Sequence, residues 1–240
     1  MRAALRIATL SLAALTLAAC SSETTTLSGE AIVSDIPWRE TEELQYRLMD
    51  GDTLKGSGVL SIEPQAGAFS FRQKYASDQF SDEIVVVADG KTMQPISVER
   101  LLAGPDGERR WAVNYGPGSA RVIQRTQNDQ RDDRVSVPGR SYDSWTDVFL
   151  WRTIDFREGY HATYTDVLSA TLAEPEVISQ TLKVTGKEEV TVPAGVFDAW
   201  RLEIHAPDGD QVAWYADTDE RPLVRYDNGT LVFELLSVPD

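Results

Sequence analysis

Between residues 43 and 235 the chain keeps returning to a period of two, and short turn signals cut the repeat into runs. "DGD" at 50–52, "DGK" at 89–91, "PDG" at 105–107, "PG" at 117–118, "DG" at 208–209 and "NG" at 228–229 mark tight reversals. Their glycines and asparagine tolerate the positive φ that right-twisting hairpins demand. Between the reversals, Phe69, Phe71 and Tyr75 fall on one face of a strand, with Arg72 and Lys74 on the other. Trp111, Val113 and Tyr115 alternate against Arg110 and Asn114, and Leu231, Phe233 and Leu235 repeat the pattern. Alternate side chains of a strand share a face, so each run is a strand with one buried side. The expected fold is all-β, with about a dozen strands in a sequential antiparallel meander. Its strong twist should curl it into an open barrel or β-spiral.

One segment departs from the period. "SYDSWTDVFLWRTIDF", 141–156, opens on Ser144-x-x-Asp147, a capping-box pattern ahead of an apolar run. Helical spacing groups Trp145, Val148 and Phe149, while Leu150, Trp151 and Ile154 fall on other sides. A helix apolar nearly all round is buried rather than laid on a surface. A short helix near 144–155 is therefore expected inside the curve of the sheet. In "TLKGSGVLSI", alternation puts Gly56 and Gly58 on the same face as Leu54, Leu60 and Ile62, leaving a strip of bare backbone. Aromatic side chains of the helix, or a ligand, should cover that strip; a β-bulge or barrel bend is the other explanation for the glycines. Gly56, Gly58, Trp145, Phe149 and Trp151 thus form the candidate concave face.

The only cysteine, Cys20, follows "MRAALRIATLSLAALTLAA". Arg2 and Arg6 precede a short apolar run, the layout of a secretory signal, and the run is shorter than the roughly 20 residues a membrane-spanning helix needs. Leu17-Ala18-Ala19-Cys20 resembles the bacterial lipobox. That resemblance implies a diacylglyceryl group on the Cys20 thiol, cleavage before it and acylation of the new amino terminus. The expected layout is a lipoprotein signal over 1–19, a flexible Ser/Thr-rich tether over 20–35 spanning about 20 Å, and one β domain over 36–240. The partner of the anchor is the membrane. With Ser21 and Ser22 after the cysteine, the usual sorting rule implies the periplasmic side of the outer membrane in a two-membrane host, and otherwise the outer face of the cell membrane.

Charge narrows the remaining functions. Losing Arg2 and Arg6 with the leader lowers the 23 basic residues to 21 against 38 acidic ones, a formal charge of −17. Such a surface repels phosphate backbones, so nucleic acid is not an expected partner. With Cys20 acylated no thiol is left for disulfides, metal binding or nucleophilic catalysis. His161 and His205 sit in no catalytic or zinc-binding pattern, and "GSG" lacks the flanks of a nucleophile elbow. Glu188 and Glu189 are neighbours on a strand and point to opposite faces, which is wrong for a shared acid–base site. "NDQRDDR" at 128–134 and "DTDE" at 217–220 match no calcium loop and read as solvated loop charge. No enzyme, metal or cofactor is expected.

"GKEEVTVPAGVFDAWRLEI", 186–204, resembles a signature of the bacterial envelope family of domain of unknown function 3108, on Val192-Pro193-Ala194-Gly195 and Phe197-Asp198-Ala199. "AWYADTDERPLVRYD" is similar to that family's next hairpin, and "LQYRLMDGDTLKGSGVLSI", with Tyr46 and Gly58, to its first. The likeness runs over about 42–237. It implies a curved, half-open sheet like those of periplasmic lipoprotein carriers, with a helix on the concave side. Read physically, the motif is a hairpin, with Val190 and Val192 on one face and Val196, Trp200, Leu202 and Ile204 at even spacing beyond the turn. Two functions follow. The preferred one is a non-enzymatic binding or scaffolding module in envelope maintenance with a protein partner; the alternative is a carrier or sensor of an apolar ligand, a lipid or acyl chain, against Trp145, Phe149 and Trp151. A cavity of several hundred cubic ångströms would favour the ligand and a packed interior the scaffold.

Overall fold

The computed structural model describes residues 31–237; Cys20, its leader and most of the expected tether lie outside them. Fifteen strands form one sheet. The first eight are β1 (Glu42–Asp50), β2 (Thr53–Gln65), β3 (Ala68–Ala76), β4 (Ser81–Asp89), β5 (Pro95–Gly104), β6 (Gly107–Gly116), β7 (Ser119–Thr126) and β8 (Gln130–Ser136). Each pairs antiparallel with the next, as short turns dictate. β9 (Ser141–Asp143) leads into the helical segment, and after it come β10 (His161–Leu168), β11 (Glu176–Val192), β12 (Gly195–Ala206), β13 (Gly209–Ala216), β14 (Leu223–Asp227) and β15 (Val232–Ser237). β10 to β15 form a second antiparallel run, and β15 closes against β1. Only β9 is parallel to its neighbour, β10. The sheet runs from β8 to β9 without those edges pairing, so it is the open, curled meander the alternation predicts.

The inner face is where the odd residues of β3 and β6 point. Phe71, Trp111 and Val113 are buried there beside Tyr46, Ile62 and Leu235, while Arg72, Lys74, Arg110 and Asn114 stay exposed. The β11–β12 hairpin turns on Pro193 and Ala194, and Gly195 takes φ 139° at its end. Leu202 and Ile204 are buried and Trp200 packs on Phe156, but Val196, at the hairpin tip, is exposed. "NDQRDDR" is a strand rather than a loop: most of it is β8, with Asp132 paired to Arg121 and Arg131 to Glu174. Charge on an unpaired edge blocks another chain from pairing there.

The helical segment is composite: a 3₁₀ turn (Ser144–Thr146), α1 (Asp147–Leu150) and a second 3₁₀ turn (Trp151–Thr153), after which Ile154 is extended. Its cap is Asp143, whose side chain accepts from the Trp145 N–H, and not Ser144. Every residue from Thr146 to Ile154 is buried, so the segment threads the interior. The expected tether is shorter than 20–35. Ile32 is buried, and the Ser34 and Asp35 N–H groups both donate to the Thr153 carbonyl at 2.8 and 3.1 Å, so the domain begins at least four residues before Ile36.

Strand directions give the molecule two ends. The turns after β1, β3, β12 and β14 lie at one, where the helical segment starts; the turns after β2, β4, β11 and β13 lie at the other, where it stops and residues 31–38 enter.

Candidate ligand cavity and its buried carboxylates

At the end where the helical segment starts, a cavity of about 360 Å³ lies between it and the sheet. Leu48, Tyr75, Tyr226 and Phe233 supply its sheet wall, and Trp145 and Val148 its helix wall. The sheet wall is a continuous aromatic surface: Phe233 meets Tyr75 at 5.6 Å and Tyr226 at 5.3 Å between ring centroids. Phe80, Asp208 and Asn228, from three turns, form the rim.

Beneath this wall lie polar groups that strand parity buries. Asp166 shares the inward face of β10 with Ala162 and Tyr164, and Gln180 shares that of β11 with Ile178 and Leu182. Asp143 and Asp147 come from the start of the helical segment. The Gln180 side-chain amide donates to Asp147 Oδ2 at 2.9 Å and to Asp166 Oδ2 at 2.6 Å. Tyr164 donates its hydroxyl to Asp147 Oδ1 at 2.9 Å and accepts from the Trp151 indole at 3.0 Å. Asp143 Oδ2 accepts from Tyr115 and from Ser169, each at 2.5 Å. Burial pushes the Asp143 carboxyl up to about 6 against the pull of these donors. It pushes Asp147 up to about 8, and burial followed by the charges of Asp147 and Asp143 drives Asp166 well above the carboxylate range. Burial thus favours the uncharged, hydrogen-bonding form of Asp147.

Two arginines brace the segment. Arg100 grips Asp82 through Nε and Nη2 at 2.9 and 2.7 Å, donates to the Ala170 carbonyl at 2.7 Å, and lies over the Trp145 ring at 4.5 Å. Arg152, almost fully buried, grips Glu42 at 2.5 and 3.0 Å and donates to the Glu220 carbonyl, joining the far end of the segment to β1 and the β13–β14 turn. Gln73 holds the near end by donating to the Trp145 carbonyl.

Of the aromatic residues expected on the concave face, only Trp145 borders the cavity. Phe149 is in the core, 4.8 Å from Phe71, and Trp151 is fixed by Tyr164, so neither reaches ligand space. Gly56 and Gly58 are covered neither by the segment nor by the cavity. A Cβ on Gly58 would stand 3.3 Å from the Tyr75 ring, and one on Gly56 would strike the Ala76 carbonyl at 2.3 Å. The bare strip exists so that β3 can approach β2, beside a bulge that offsets β1 and β2 after Leu48. The carboxylates, Gln180 and Gln73 were missed by reading for motifs. Their signal was a polar residue on an apolar parity: Asp166 between Ala162/Tyr164 and the strand end, Gln73 between Phe71 and Tyr75. His161 and His205 are exposed, the latter 2.8 Å from Asp210.

Fold and cavity define a half-open β-barrel wound round a buried helical segment, with a polar floor at one mouth. The chain belongs to the family described as protein of unknown function (DUF3108), which it matches over residues 46–235. In three dimensions it is similar to the β-barrel-like protein of domain of unknown function DUF1849 from Brucella abortus, with TM-score 0.54 and 12% identity over 87% of this chain and 100% of that one. A candidate exported protein with a YmcC-like fold from Bacteroides fragilis covers 88% of this chain and 100% of its own at 12% identity and TM-score 0.30. A candidate lipoprotein from Parabacteroides distasonis covers 88% and 100% at 11% identity and TM-score 0.31. At 12% identity the likeness to the Brucella protein speaks to the fold alone. No curated protein matches the chain in sequence.

Proposed function

We propose that the protein is a non-enzymatic lipoprotein of the cell envelope that holds a small apolar ligand in the cavity beside Trp145, as a carrier or sensor. The observation that carries this reading is where this 360 Å³ space lies: clefts of 320 to 560 Å³ occur elsewhere on the fold, but this one opens between the helical segment and the inner face of the sheet, beside Leu48, Tyr75, Val148, Tyr226 and Phe233. It falls within the range of small-molecule sites, about 300–1,000 Å³. A scaffold needs no such space, so the geometry favours the ligand over the protein-partner reading that the sequence alone preferred. The leader and Cys20 support the envelope and the anchor.

The test is native mass spectrometry of the Cys20→Ser chain, purified from its host's envelope fraction and then extracted with organic solvent. A co-purifying small molecule near equal stoichiometry, lost on extraction, is the expected result. A clean apo mass, with the anchored form instead capturing one protein reproducibly, would return the choice to the scaffold. Release of labelled palmitate from the wild type but not from Cys20→Ser would confirm the anchor.

A further inference from the structure

The end of the barrel opposite the cavity mouth carries a surface of its own. Residues 31–38 enter there, pinned by Ile32 in the core and by the Ser34 and Asp35 N–H groups on the Thr153 carbonyl. Beside that entry the β11–β12 hairpin, whose first strand is 17 residues long, reaches past β13 and β14. The Ala194 N–H at its tip donates to the Leu235 carbonyl of β15 at 3.0 Å. The reach brings the tip, where Val196 is 61% exposed, to Leu236, which is 39% exposed. Between the tip and the entering segment lies a cleft of about 560 Å³, with Pro37, Leu44, Phe197 and Pro222 on its apolar wall. Contiguous exposed apolar surface of this kind marks an interaction site.

Where the chain enters the domain decides what the patch meets. Given the Cys20 anchor of the preceding reading, on which this inference rests, twelve residues join the lipid to Ile32 and span at most roughly 40 Å. Turning the cavity mouth to the membrane would carry that segment along β1, whose nine residues alone run roughly 30 Å from this end toward the mouth. That takes up most of the reach and draws the segment nearly straight, the arrangement with the least conformational freedom. With the entry end toward the membrane, Val196 and Leu236 meet the bilayer without such stretching. The short link then holds them there at high effective concentration, so that even a weak contact is populated. Apolar side chains gain by entering the boundary between headgroups and acyl chains. Among the charged side chains lining the cleft, Glu40, Glu42 and Glu220 outnumber Arg39, so anionic headgroups are not attracted and the contact is apolar. We propose that this face, the cleft with Val196 and Leu236, is a docking surface for a bilayer of zwitterionic lipid, and that the cavity mouth consequently opens to the aqueous phase. A ligand then enters from the water side and not from the anchoring leaflet.

The test uses the lipidated full chain in phosphatidylcholine vesicles. Acylation occupies the Cys20 sulfur, so one added cysteine is the only thiol a fluorophore can label. Val196→Cys reports the entry end, and Leu54→Cys, at a position 63% exposed by the β1–β2 turn, reports the mouth end. A nitroxide carried high on the lipid acyl chain is expected to quench the label at 196 several-fold more than the label at 54. Equal quenching, or more at 54, would overturn the proposal. Leu236→Cys labels the same face and decides in its place if the first variant does not fold. Adding Val196→Asp to Leu236→Cys separates docking from tethering: quenching should fall several-fold while flotation with the vesicles is unchanged. Unaltered quenching would show that the tether alone orients the domain, which sinks the docking contact. Should the wild-type chain float with vesicles no better than Cys20→Ser, the anchor reading fails and this inference with it.

Discussion

Raising the pH from 5 to 7 should weaken this fold, and Asp147 is the residue that makes the effect calculable. Below its ordinary value of 3.8 the carboxyl is neutral in both the folded and the unfolded chain and contributes no pH dependence. Between 3.8 and about 8 the unfolded chain releases the proton while the folded chain keeps it, because burial has raised the folded value. The folded state then binds more protons, so stability falls as the pH rises, by 1.36 kcal/mol per unit for one group. From pH 5 to pH 7 that is about 3 kcal/mol for one group held protonated throughout. Asp143 adds to the slope up to about pH 6, and Asp166 acts in the same direction. Asp147→Asn keeps the shape and a Tyr164 acceptor, and the Gln180 amide can turn its oxygen to the new NH₂ group by giving up its donation to Asp166. The variant cannot titrate, so it should gain about 3 kcal/mol on the wild type between pH 5 and pH 7. Urea midpoints at pH 5, 6 and 7, with the denaturant slope checked for constancy, measure this directly. A wild-type/variant difference that stays flat across the range would refute the claim that Asp147 is held neutral.

Arg152→Met should destabilise the domain by about 3–5 kcal/mol, because Glu42 is left without its counter-charge; the Arg152→Met/Glu42→Gln pair should recover part of that loss in the same urea assay. Gly56→Ala should lower the melting temperature more than Gly58→Ala, since the first meets a backbone carbonyl at 2.3 Å and the second only the edge of the Tyr75 ring at 3.3 Å; equal shifts would show that β2 and β3 adjust freely. Replacing Asp132 and Arg134 in β8 with valine should leave the fold intact but turn the protein into an associating species by light scattering, because the charged edge becomes one that pairs.

The hairpins were legible because each turn demands a particular residue and each strand buries alternate ones: Phe71, Trp111 and Phe233 are buried where parity put them. The buried helical segment was legible from its lack of a polar side. Pairings between distant segments were not. Nothing local says that β1 meets β15, because an edge seeks any partner of matching twist and length. β8 was hidden because its charges serve an edge, and edge strands break the apolar alternation that identifies inner ones. The cavity depended on a choice no motif expresses. Trp145 could have turned inward like Trp151, and it is the stacking of Arg100 on its ring, set by Asp82 on β4, that holds it at the wall.

The pairing of β1 with β15 also governs how this chain can be made. A polypeptide delivered amino terminus first can build β1 to β8 as one series of nearest-neighbour hairpins, each closing as its second strand emerges. The open flank of β1 has no such neighbour and waits until the last strand arrives, when Arg47 meets Glu234 across a separation of 187 residues. Until then both the seam and the seat of the helical segment are incomplete, and closing so long a loop is slow. The strand at the centre of the finished sheet is therefore the one left exposed longest during synthesis. That interval is when a chaperone that shields unpaired strands would matter most.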